Sequence, residues 1–319
     1  MGKARFTEKE LKDKLQYNGY NDKHGKVFMP NYVFEMLAND EELSASKSFH
    51  QAYTYSYLYL VSWLYRNAKY DTEYSKEDLR EIIGLSKTYQ KFNYVTNKDG
   101  VLDRLALTVE DKIKNAPVYY DWENETLNFY NQEEYNNEFL HEGQVEENRV
   151  RGINKKSPNG TYKIPTFGVY SKDAEYGEGT FFGFIENTHH VDFEVFVKCM
   201  TNPELGAEAF YLYSYLTYKC NQAGGSIEIG GIKMLQQTGM KHTSKEKALK
   251  GLKKFGLIDC YPAVFYKGAG KGDGASVYVV KDVNCYESEG RKFAVRQVKD
   301  ADALEEIEKI KKQVDELMM

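Results

Sequence analysis

The sequence predicts an α+β fold, mainly α with small β-hairpins, arranged as two copies of one unit plus a C-terminal helix. Three observations carry this. "VFEMLANDEEL" (Val33 to Leu43) aligns with "VFVKCMTNPEL" (Val195 to Leu205) at a constant offset of 162 residues. Each block precedes an aromatic helical run, "TYSYLYLVSWLYRNAK" in the first copy and "AEAFYLYSYLTYKCNQAG" in the second. Each run is followed by a polar turn and a second helix interrupted by glycine, at Gly84 and at Gly239. Glycine tolerates the positive φ that a sharp reversal between short helices requires.

In chain order, the first copy occupies residues 1–130. After its aromatic run, "YSKEDLREIIGLS" supplies the second helix. A third is expected over Lys87 to Asn97, with Tyr89, Phe92 and Val95 buried and Gln90, Asn93, Tyr94 and Asn97 open. "VYYDWENETLNFY" (Val118 to Tyr130) reads as a hairpin turning near Asn124, an acidic wing carrying Asp121, Glu123 and Glu125. Residues 131–188 form an acidic, helical segment and then a linker. Its core, "NKKSPNGTYK" (Asn154 to Lys163), combines Pro, Gly, Ser and Asn with no apolar period.

The second copy occupies residues 189–298. Its second helix lies in "IEIGGIKMLQQTGMK", its third in "TSKEKALKGLKKFG", and strands at Ile258 to Phe265 and Val277 to Val280 flank a glycine-rich loop. A helix-turn-helix with a trailing hairpin is a winged helix, so the chain reads as tandem winged-helix domains. In the last segment, 299–319, Leu304, Ile307, Ile310, Val314 and Leu317 recur three or four apart. That helix either docks on its own domain or pairs two chains in a short coiled coil, giving a homodimer.

Composition narrows the function classes. Apolar residues at 41% and aromatics at 14% of 319 residues suffice for folded cores. The longest apolar stretches, such as Tyr57 to Tyr65, are shorter than the roughly 20 residues a bilayer crossing requires, so no membrane partner is expected. The opening "MGKARFTEKELKDKL" lacks an apolar core with a small-residue cleavage site, which makes the cytoplasm the expected location. Cys199, Cys220, Cys260 and Cys285 are far apart and read as reduced packing residues. The neighbours His189 and His190 have no third ligand nearby, so neither a metal nor any other cofactor is expected.

The net charge is −5, yet six lysines face one glutamate between Lys241 and Phe255. On a helix, Ala248, Leu249, Leu252 and Phe255 fall on one face and Lys247, Lys250 and Lys254 on the other. Thr243 with Glu246 fits a capping box, and Gly256 suits the stop. A lysine face is often only a solvated face. This one repels itself unless an anion answers it, and it lies on the third helix, which a winged helix inserts into the major groove. Lys241, His242 and Thr243 at its start, Lys247, Lys250 and Lys254 along it, and Lys267 and Lys271 in the wing are therefore the candidate contacts to double-stranded DNA. In the first copy, Gln90, Asn93, Tyr94 and Asn97 either read adenine edges or are ordinary polar surface, with Lys87 on a phosphate.

At these residues the chain resembles the winged-helix replication initiators of plasmids and phages of low-GC Gram-positive bacteria, of RepA type, and the amino-terminal domains of DnaD-type primosome proteins. "KVFMPNYVFEML" looks like their opening strand and first helix, and "GMKHTSKEKALKGLKKFGLI" is similar to their recognition helix and entry to the wing. "YVTNKDGVLDRLALT" resembles a segment of related replication and regulatory proteins. The likeness covers about half the chain and implies two winged helices on duplex DNA, with host replication proteins as possible partners. The linker and tail match nothing in it. The acidic first wing departs from a phosphate-gripping one, which leaves the first copy open to dimerisation or partner docking.

Enzymatic chemistry is not expected. "KGAGKGDGAS" fails as a P-loop because no Ser or Thr follows the lysine, and neither G-x-S-x-G nor H-E-x-x-H occurs. Three functions follow: an initiator of mobile-element replication, a transcriptional regulator on the same fold, or a protein-interaction module.

Overall fold

The computed structural model describes residues 5–17, 25–45, 50–70, 74–123, 126–145, 160–167, 187–267, 274–300, 309–310 and 313. Among them helices dominate and the strands form small sheets, four antiparallel and one parallel, an α+β architecture.

The first half opens with α1 (Glu8–Lys14), started by a capping box between Thr7 and Glu10. Strand β1 (Lys26–Pro30), α2 (Val33–Asn39) and α3 (Glu41–Ala45) lead into α4 (His50–Arg66), whose residues are all buried except Tyr53. Such a helix is central rather than amphipathic. A second capping box, Ser75 with Asp78, starts α5 (Lys76–Ile82).

The expected third helix over Lys87 to Asn97 is replaced by a 3-10 turn at Gln90–Phe92, α6 (Asn93–Thr96) and, after a break, α7 (Val101–Arg104). Asp99 at φ 59° and Gly100 make the break, and a Cβ on Gly100 would lie 2.5 Å from the Tyr94 carbonyl oxygen. Only glycine fits there.

Strand β2 (Thr108–Lys112) follows, then a hairpin of β3 (Tyr119–Glu123) and β4 (Thr126–Tyr130), and α8 (Gln132–Phe139). The partner of β2 is β5 (Thr161–Pro165), in antiparallel register from Thr108↔Pro165 to Lys112↔Thr161. Residues 161–163, expected within the linker, are thus strand, and the first half extends past residue 130. Lys163, 3% exposed, anchors that strand by bonding Asp103 at 2.5 Å and the Asn97 carbonyl at 3.1 Å. A buried ammonium has to be paired in this way.

The second half comprises β6 (Thr188–Asp192), α9 (Phe193–Thr201), α10 (Gly206–Gln222), β7 (Ser226–Ile229), α11 (Gly231–Thr238), α12 (His242–Lys254), β8 (Ile258–Tyr261), β9 (Phe265–Lys267), β10 (Ser276–Val280) and β11 (Val298–Asp300). One sheet runs β7-β10-β8. The strand expected from Ile258 to Phe265 ends at Tyr261, and Phe265 instead begins β9, which pairs parallel with β11. Of the C-terminal helix, residues 309–310 and 313 are helical with Ile310 exposed; Leu304, Ile307, Val314 and Leu317 lie outside the described residues.

The repeat is visible in the packing. Val33, Phe34, Leu37 and Leu43 are buried, as are Val195, Phe196, Cys199 and Leu205, their counterparts at the 162-residue spacing. The two opening strands also pair with each other: β1 runs antiparallel to β6, with Phe28 opposite His190, again 162 positions apart. An antiparallel pair centred on equivalent residues relates the halves by a local pseudo-twofold axis.

Across this junction Trp63 stacks on Phe193 with ring centroids 3.9 Å apart, and the Tyr59 hydroxyl donates to the Val191 carbonyl at 2.9 Å. The 27 tyrosines suit such a core. Rings fill the shared core while hydroxyls satisfy carbonyls, as Tyr211 does for Thr238 (3.0 Å) and Tyr213 for Lys281 (3.0 Å).

Candidate nucleic-acid interface

The turn between α11 and α12 is fixed from below. Gly239 adopts φ 66°, and a Cβ added to it would meet the Ala38 Cα at 3.3 Å, so the reversal sits tightly on α2. Thr238 and Met240 are buried beside it. At the far end, Gly251 lets α12 approach the turn before α10, since a Cβ there would lie 2.9 Å from Leu205 Cδ2. Ser244 donates to Glu208 of α10 at 3.0 Å.

The phase of α12 follows: Ala248, Leu249, Leu252 and Phe255 are buried, while Lys241, His242, Thr243 and Lys250 are exposed and Lys247 is partly so. The helix starts at His242 with Lys241 as N-cap and no side-chain cap bond. Thr243 is therefore not the cap expected of it, and it stands on the exposed first turn. Glu246, the expected capping-box partner, instead contacts Lys245 at 2.9 Å, with His242 3.9 Å away.

The lysines of α12 are not equivalent. Lys245 is 5% exposed. Lys254 bonds Glu204 at 2.5 Å, and the Lys253 ammonium lies 4.9 Å from the Phe293 ring. Lys247 and Lys250 have no carboxylate partner among the described residues, which makes them the open cations of the face. On α11, Lys233 is exposed as well. It stands outside the lysine-dense stretch from Lys241 to Lys254 that marks this face in the sequence. Lys267 is the last residue of β9, and Lys271 lies outside the described residues.

In the first half the expected open face is partly closed. The Asn93 carboxamide accepts from buried Arg80, and the Tyr94 hydroxyl bonds His50 Nδ1 at 2.8 Å, so both side chains turn inward. Gln90 and Asn97 are exposed. Lys87 is held by Asp78 at 2.8 Å and Glu81 at 3.4 Å rather than being offered to a phosphate.

Burial works to raise the Asp78 carboxyl, but hydrogen bonds from Lys87 and Ser75 and the charge of Lys14 overcome it and hold it at about 2. A carboxylate held below its unfolded value of about 4 stabilises the fold above that pH, and the contribution is lost as pH falls from about 4 to about 2. Asp78→Asn is expected to cost about 1–2 kcal/mol at neutral pH and to flatten that acid-side decline. Urea melts of both proteins between about pH 5 and pH 2 check this.

His189 is a packing residue in this arrangement. It accepts from the Tyr55 hydroxyl at 2.7 Å through Nε2, and its Nδ1–H donates to Asn31 Oδ1 at 3.1 Å. Burial, with His190 adding to it, pushes its pKa down to about 3, so the ring is neutral and both nitrogens are engaged. No protein-family model matches this chain, nor does any curated protein or solved structure.

Proposed function

We propose that the chain is a sequence-specific double-stranded DNA-binding protein, built from two winged-helix units, that starts replication of a mobile element such as a plasmid or phage. The observation that carries the reading is the pair Lys247 and Lys250, which leave α12 opposite its buried face and lack carboxylate partners among the described residues. The order α11, Gly239, α12, β8, β10 matches a helix-turn-helix with a trailing antiparallel pair. In such a unit the second helix of the turn motif lies in the major groove. Ammonium groups without partners gain by meeting phosphates, because condensed counterions are released.

The ion-paired Lys87 and the broken third helix leave the first unit a poorer electrostatic surface, so the second unit supplies most of the affinity. Replication as the purpose of binding rests on the resemblance of "KVFMPNYVFEML" and "GMKHTSKEKALKGLKKFGLI" to the initiators.

The test is fluorescence anisotropy on duplexes cut from the surroundings of the coding region, repeated across salt concentrations. Log affinity is expected to fall linearly with log salt with a slope of at least about −2, one unit for each of two phosphate contacts. A flat salt profile would sink the reading. Footprints on tandem repeats beside an AT-rich region support an initiator, and a single operator beside a promoter argues for a regulator.

A further inference from the structure

A cavity of about 710 Å³ opens between α2 of the first half and α10 and α11 of the second. It falls within the range of about 300–1,000 Å³ in which proteins hold small organic ligands, and it lies where such sites concentrate, at a junction between units. Its lining is mostly carboxamide and aromatic. Six of its thirteen lining residues are Asn or Gln and four are aromatic, while a single lysine and a single glutamate, Lys219 and Glu35, supply the charge.

Each part of that lining restricts the ligand. Tyr32, at the mouth, is 49% exposed and offers a ring for stacking. Deeper in, Tyr218 stacks on buried Phe34 at 5.7 Å with 7° between the planes, and the Tyr215 hydroxyl bonds Gln237 Oε1 at 2.5 Å. The far wall is thus rigid. Exposed carboxamides such as Gln236 and Asn39 present a donor and an acceptor side by side, the pattern that pairs with a purine edge. One positive and one negative side chain cancel, so the cavity does not suit a triphosphate, whose charge calls for several cations or a metal.

We propose that this cavity binds a purine base or nucleoside, stacked on Tyr32 and read by the carboxamides, Gln236 among them. The reading is independent of DNA binding and is measured without DNA. α11 leads through Gly239 directly into α12, so an occupied cavity would touch the helix that positions the lysine face.

The experiment is calorimetric titration of the full chain with adenosine and with guanosine, with uridine as the single-ring comparison. At least one purine nucleoside is expected to bind saturably below about 1 mM and more tightly than uridine. Tyr32→Leu combined with Gln236→Ala is expected to lower that affinity at least about tenfold, the loss of one stacking contact. Both positions are exposed, so the double variant should keep the wild-type melting curve. No saturable binding of either purine up to about 1 mM overturns the proposal, and so does an affinity that falls by less than about tenfold in the double variant.

Discussion

Lys247→Ala combined with Lys250→Ala is expected to weaken duplex binding by roughly a hundredfold or more and to reduce the salt slope by about two units. Each lysine meets a phosphate in the proposed complex, and a hydrogen bond to a charged group contributes about 1.5–3 kcal/mol. Neither side chain belongs to the buried face of α12, so circular dichroism and the melting curve should stay those of the wild type. Lys254→Ala is expected to do much less, about tenfold or under, because Lys254 must first leave Glu204 before it can reach DNA. The three lysines share one side of the helix by period, and their neighbours separate them. If the double variant binds duplex DNA as tightly as the wild type, the interface lies elsewhere on the molecule.

How far the sequence was legible depended on how local the physics is. The burial of Ala248, Leu249, Leu252 and Phe255 follows from helical period alone, and it holds because α12 turns that one stripe into the core. The two aromatic runs were equally clear as α4 and α10. The third helix expected over Lys87 to Asn97 is helical only from Gln90 to Thr96, as a 3-10 turn and α6, and a further helix, α7, starts beyond the "NKDG" break at Asp99 and Gly100. The better counterpart of α12 is the segment around α7, where the Leu107 N–H bonds the Leu102 carbonyl as the Leu257 N–H bonds that of Leu252. Ala106 even adopts the positive φ that Gly256 adopts at the same place.

Non-local pairing was the least legible. β5 is five residues of weak strand character, held by a partner more than 40 positions away and by the buried ion pair of Lys163. Nothing in "NKKSPNGTYK" announces that contact. The β1–β6 pair spans 162 residues, so the periodicity that reveals each strand cannot reveal its partner. At the candidate interface the same limit applies: charge is written in the sequence, whereas the carboxylates that neutralise Lys87 and Lys254 reach them only through folding.

Leu252→Asp is expected to unfold both halves of the molecule, the first as well as the second. Leu252 is 0% exposed and buried with Ala248, Leu249 and Phe255 in the α12 face of the core. Losing the leucine side chain alone costs about 2–5 kcal/mol, and a carboxylate left there without a partner adds several more. Together these reach the whole stability of an ordinary domain, about 5–15 kcal/mol. Two independent domains would confine the damage to the second. Here the halves share strand pair β1–β6, and Trp63 of the first stacks on Phe193 of the second, so the first half loses a wall of its own core. Trp63 reports the difference directly. In a Trp122→Phe background it is the remaining tryptophan of two, fully buried in the native state. Adding Leu252→Asp should shift its emission to the red and abolish the cooperative melt. Leu252→Met, which conserves volume, should cost under about 1.5 kcal/mol and leave the emission unchanged. Native Trp63 emission in the aspartate variant would mean that the junction does not couple the halves.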